Sequence, residues 1–152
     1  MSDISDPMKM AALEPFVGRW TMAAEFDPES TPPRAVTTFE WLAGKHFLVQ
    51  RWEVDHPEAP DGIAIIGFDP TKATYLQHYF DSRGVARVYD MTFSNGVWEL
   101  QRFASEPDFS QRFTGRFTDD GNSIVGAWEI SRDGSGWEPD FNLTYTRLNQ
   151  PD

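Results

Sequence analysis

Seven polar side chains occupy strand positions that alternation assigns to an interior: Gln50, Gln77, Tyr79, Arg87, Tyr89, Arg102 and Gln111. They share that face with large rings, among them Trp52, Trp98, Phe113 and Trp128. Charged groups almost never enter a protein interior without a partner. Two readings follow. In the first, Arg87 and Arg102 take the carboxylate or phosphate head of a molecule whose apolar body the four rings enclose, since a guanidinium is a planar, bidentate donor. In the second, the arginines serve the structure, pairing with Asp81 or with tyrosine hydroxyls, or sitting at a wet rim. Catalysis needs a general base beside a reacting centre. Asp81, Tyr79 and His78 stand nearest to that description, but Asp81 also reads as a turn residue, and no catalytic residue is assigned.

Other chemistry has less support. The three histidines, His46, His56 and His78, have no pair at metal-ligand spacing, so no metal site is expected. Alternation turns His46 inward beside a turn, leaves His56 in a loop and turns His78 outward. There is no nucleophile elbow, phosphate-binding loop or dinucleotide fingerprint. The segments 81–84 (DSRG) and 133–136 (DGSG) read as turns.

The elements that must position these side chains are short strands. Asn95-Gly96 between alternating runs is the strongest short hairpin signal, because both central residues of the favoured turn need positive φ. It sets Phe93 opposite Trp98 and Met91 opposite Leu100. A three-residue loop at 82–84, with Gly84 left-handed, sets Tyr79 opposite Arg87. A two-residue turn at Gly44-Lys45 places Phe39 and Trp41 on one face with Leu48, Gln50 and Trp52. Pairing across Asp120-Gly121 places Phe109, Gln111, Phe113 and Phe117 with Ile124, Trp128 and Ile130, and sets Arg112 opposite Glu129 as an exposed pair. Trp20, Met22, Ala24 and Phe26 share a face of the first strand, and Phe141, Leu143, Tyr145 and Arg147 share one of the last. A short helix over 8–13, with Asp6 as N-cap and Pro7 at its first position, precedes them.

About ten strands joined by hairpins, inward-aromatic and outward-polar, predict an all-β fold, a single antiparallel up-and-down β-barrel with a short N-terminal helix. Residues 8–148 form the domain, with 1–7 a disordered tail and 149–152 a second tail. The 152 residues, 14% aromatic, are enough for one substantial core. A net charge of −11 leaves no overall footprint for nucleic acid or an anionic membrane surface. Ten of the thirteen basic residues are arginine, which favours specific pairing over diffuse attraction. The absence of cysteine excludes disulfides and thiolate chemistry and agrees with a reducing compartment. No apolar run approaches membrane length. The chain reads as cytoplasmic, not inserted in a membrane, and a monomer or homodimer.

Gly18-Arg19-Trp20 on the first strand resembles the G-x-W of lipocalins and the wider calycin superfamily. In those barrels the Trp closes the floor and an Arg late in the last strand packs over the indole, so the resemblance implies a structural floor of Gly18, Trp20 and Arg147. The segments FEWLAGKHFLVQRWE (39–53), IIGFDPTKATYLQHYFDSRG (65–84) and FNLTYTRL (141–148) extend it, resembling a bacterial calycin-like family of unknown function. A more distant similarity is to nitrobindin-type haem barrels. Those read G-x-W-x-G-x-G and supply a histidine near the C-terminus. Here Met22 and Ala24 replace the later glycines and no histidine follows His78, which counts against haem, so no cofactor is expected. The sequence therefore points to a binder of a small hydrophobic or anionic molecule. An isomerase- or cyclase-type enzyme, or a haem-dependent activity, is the alternative. A filled barrel with an associating outer surface is a further one, which exposed outward aromatics would favour.

Overall fold

The structure, a computed structural model, describes residues 6–25, 34–57, 59–104, 108–132 and 136–148. A helix, α1 (Asp6–Ala11), and a 3₁₀ turn (Glu14–Phe16) precede ten strands. These are β1 (Gly18–Glu25), β2 (Ala35–Trp41), β3 (Leu48–Val54), β4 (Gly62–Asp69) and β5 (Thr74–Asp81), then β6 (Ala86–Ser94), β7 (Val97–Arg102), β8 (Ser110–Phe117), β9 (Ser123–Ser131) and β10 (Glu138–Arg147). Each strand pairs antiparallel with its neighbours in sequence, and β1 pairs with β10, so the sheet closes on itself. Closure leaves no row of unpaired backbone groups at an edge.

The hairpins carry the expected registers. Asn95 and Gly96 have φ of 52° and 75°, and the ladder from Ser94–Val97 puts Phe93 opposite Trp98. Gly84 sits at φ 85°, its N–H donating to the Asp81 carbonyl, and Tyr79 faces Arg87. The connection at Gly44-Lys45 differs from a two-residue turn. The strands stop at Trp41 and Leu48, and the Leu42 N–H donates to the Phe47 carbonyl at 3.0 Å. The register is still the expected one, Phe39 opposite Gln50. However, Gly44 and Lys45, at φ 93° and 60°, coil the chain away from the ladder. Alternation no longer decides the face of His46 there, and instead of pointing inward it is exposed in the loop. The helix starts at Asp6 rather than Met8 and ends at Ala11, and Leu13 passes to the 3₁₀ turn. Phe26, segment 133–135, the tail residues 1–5 and the tail 149–152 lie outside the described residues.

One end of the barrel is sealed. Met10, Leu13 and Phe16 are buried, and the Phe16 ring meets Phe93, Trp98 and Phe117 edge-on at 4.9–5.1 Å. Such ring pairs favour edge-to-face contact because the ring edge is positive and its face negative. The Tyr75 hydroxyl donates to the Lys9 carbonyl at 2.6 Å, tying the plug to the wall. Beneath it the Arg147 guanidinium lies 4.1 Å from the Trp20 ring centre and donates to the carbonyls of Val17, Pro15 and Gly121. On the outer wall Arg112 and Glu129 do pair, as a bidentate contact of 2.7 and 3.2 Å. The pair is only partly exposed, because Arg112 also lies over Trp137 at 4.3 Å. Phe47, Phe80 and Val88 are exposed on the outside of the sheet.

Candidate functional site

At the end opposite the plug, the strand faces part to leave a cavity of about 470 Å³. Ten of the eleven residues expected to bind a ligand line it: Gln50 and Trp52 from β3, Gln77 and Tyr79 from β5, Arg87 and Tyr89 from β6, Trp98 from β7, Gln111 and Phe113 from β8, and Trp128 from β9. Their even spacing along each strand puts them on the concave side. Three glycines shape the wall. Gly62 leaves room for the Trp52 ring, while Gly115 and Gly126, directly opposite each other, leave a slot for the Phe113 ring.

The apolar part is a chain of rings. Trp52 lies 5.4 Å from Tyr79 at an interplanar angle of 30°, and Trp128 contacts Tyr89, Phe113 and, stacked at 6.3 Å, Phe141. Trp98 packs between Phe16 and Phe39 on one side and Phe113 and Tyr145 on the other. A flat, apolar body fits between such walls.

Two acceptors organise the polar part. The Gln111 carbonyl oxygen receives the Tyr89 hydroxyl at 2.9 Å, Arg87 at 3.3 Å and Arg102 at 3.4 Å. The Asp81 carboxylate, its side chain buried, receives the Tyr79 hydroxyl and the Arg83 guanidinium, each at 2.6 Å. Burial alone would raise the Asp81 pKa. Hydrogen bonds from Arg83 and Tyr79 outweigh it and hold the carboxyl well below the usual range. Burial and the neighbouring Asp81 push the Tyr79 phenol well up. Burial also raises Tyr89, against the opposing pull of Arg87 and Arg102. Neither member of the Asp81–Tyr79 pair is poised near neutrality, where a general acid or base works best. The pair fixes geometry at the mouth.

Arg102 does not line the cavity. It turns to Asp108 at 2.9 Å and to the Phe109 carbonyl at 2.9 Å, and holds the Asp108 carboxyl down at about 2. Asp81, which the sequence offered as a partner for Arg87 or Arg102, is taken by Arg83. Arg83 itself, read only as part of a turn, lines the mouth; the signal was the i, i+2 spacing from Asp81 across that turn. Phe109, Phe141, Leu143 and Tyr145, expected inward but not assigned to binding, also line the cavity. Asp140 is the lining carboxylate, exposed at the rim. Arg87 has Gln111 and the Phe109 ring, 5.3 Å away, but no ion-pair partner among the described residues.

None of the three histidines reaches the cavity. His46 and His56 are exposed in loops and His78 is exposed on the outer wall. Among the described residues no group of three His, Cys, Asp or Glu side chains is placed to hold a metal ion. No helix among them is long and apolar enough to cross a membrane.

Residues 7–147 match a family model described as "Protein of unknown function (DUF1579)". The crystal structure of Rv2717c from M. tuberculosis is similar in fold, with a TM-score of 0.61 and 15% identity, covering 93% of this chain and 98% of that chain. At that identity the likeness shows the barrel alone. No curated protein matches the chain.

Proposed function

We propose, for a chain that belongs to the DUF1579 family of proteins of unknown function, that the barrel binds a small, largely apolar molecule with an anionic head. The observation that carries this is Arg87, a cation on the cavity wall with no carboxylate in ion-pair contact among the described residues, the nearby Asp108 being bonded to Arg102. Arg83 and Arg102 are each neutralised by an aspartate, so their charge is already met. The head group therefore meets Arg87, and the body lies between Trp52–Tyr79 and Trp128–Phe113. This narrows the cationic pair expected from the sequence to one arginine. The Trp20–Arg147 floor supports kinship with the calycin barrels, and the absence of cysteine fits a cytoplasmic location.

Native mass spectrometry of protein purified without added ligand tests occupancy, and a reproducible non-covalent adduct supports the reading. Titration of tryptophan fluorescence with naphthoate and with its neutral alcohol analogue tests the head group. Arg87→Met should weaken naphthoate by about tenfold, leave the alcohol unchanged and leave Tm nearly unchanged. Equal binding of naphthoate by both proteins would remove Arg87 from the site, and unfolding of the variant would make it a structural residue.

A further inference from the structure

The cavity has three buried glutamines, and their hydrogen bonds differ. Gln50 donates to the Thr37 hydroxyl at 3.2 Å, and the Gln111 carbonyl is saturated by its donors. Gln77 is 4% exposed, lines the cavity, and makes no hydrogen bond among the described residues. Across the ladder it faces Ile66 on one side and Tyr89 on the other, whose hydroxyl is committed to Gln111. In the cavity lining, Trp98 buries its indole N–H without an acceptor among the described residues. A buried donor left without a partner loses its bonds to water and gains nothing in return. The inner part of the cavity therefore carries an amide, donor and acceptor both, whose hydrogen bonds no described residue meets.

The position of Gln77 along the strand is fixed. Tyr79, nearer the mouth, pairs with Arg87, and Gln77 is the next inward residue toward the plug. Two residues along a strand span about 7 Å. Arg87 and Gln77 thus lie at different depths on the same wall.

We infer that the ligand carries a carbonyl or hydroxyl oxygen at the end remote from its anion, and that this oxygen bonds to the Gln77 amide. The inference rests on the reading that the cavity takes an anionic, ring-bearing molecule. It narrows the ligand class to aromatic or polycyclic hydroxy or keto acids and away from plain hydrocarbon acids.

The test compares naphthoate with a hydroxynaphthoate whose hydroxyl and carboxylate stand at opposite ends, and repeats the comparison with benzoate and para-hydroxybenzoate to cover a shorter span. In the native protein the hydroxyl should tighten binding by about tenfold in at least one pair. Gln77→Leu and Gln77→Met should erase that gain and hold or raise Tm. If the hydroxyl has no effect in either pair, or its effect survives in both variants, the inference falls while the cavity reading stands. If none of the acids binds, the cavity reading falls and takes the inference with it. Should the variants lose Tm and all binding together, Gln77 is a structural residue and the inference is again overturned.

Discussion

Arg147 makes three hydrogen bonds to main-chain carbonyls and covers Trp20, and it can do so because position 18 is glycine. A Cβ there would lie 2.9 Å from the Arg147 guanidinium, at a φ of 134° that side chains rarely adopt. Gly18→Ala should therefore destabilise the protein by about 1–3 kcal/mol, and Arg147→Met by about 2–4 kcal/mol, read by urea denaturation. A second residue-scale prediction concerns acid. The folded Asp81 pKa is lowered below the unfolded value of about 3.9. Its contribution is thus complete above pH ~4 and lost as pH falls from there toward the folded value. Between pH ~4 and ~2 the Tm of the native protein should drop, and Asp81→Asn, already less stable at neutral pH, should drop less over that window. At this scale the sequence was legible in types and faces but not in partners. That Arg87 faces inward followed from alternation. That Arg102 would turn to Asp108, and Asp81 to Arg83, depended on loop conformations that strand periodicity does not encode.

Among the elements, the β8–β9 hairpin shows how the site obtains its shape. Gly115 and Gly126 face each other, and the Phe113 ring occupies the space that two side chains would need. Gly126→Ala should force Phe113 out of its slot, at a cost of about 1–3 kcal/mol for overpacking, with a measurable loss of cavity affinity for naphthoate. Gly84→Ala, where a Cβ would meet nothing within 4 Å, should cost only its φ strain of about 1 kcal/mol and leave affinity alone. Hairpin registers were readable because Asn95-Gly96 and Gly84 encode positive φ locally. The strand glycines were not, since the need for each comes from a ring attached elsewhere in the chain, Trp52 for Gly62 and Phe113 for Gly126. The 44–45 turn sits between these cases. Its register followed from alternation, while its length was set by where Gly44 and Lys45 leave the ladder.

At the scale of the molecule, burial falls on the tyrosines as a set. Tyr75, Tyr79, Tyr89 and Tyr145 all have pKa values raised above the ordinary phenol value, each chiefly by burial. The unfolded chain ionises near pH ~10 and the folded one does not, so stability is retained below that pH and falls above it. Phenolate absorbance should therefore appear together with loss of tertiary circular dichroism, in one steep step above pH ~10. A gradual rise centred at ~10 in a protein that stays folded would show that the tyrosines are open to water. The closed barrel itself was legible because inward-outward alternation persists in nearly every strand and the connections are short. The depth of the cavity was not, because it depends on how far the plug enters. The sealed end also has a consequence in time. It joins Trp20, Pro15 and Val17 to Arg147, so the earliest and latest parts of the barrel meet in one contact. During synthesis from the N-terminus, β1 has only β2 beside it until β10 has left the ribosome. The nascent barrel remains an open sheet with two bare edges until β10 has been made, and a chain released before residue 147 would offer those edges to other nascent chains.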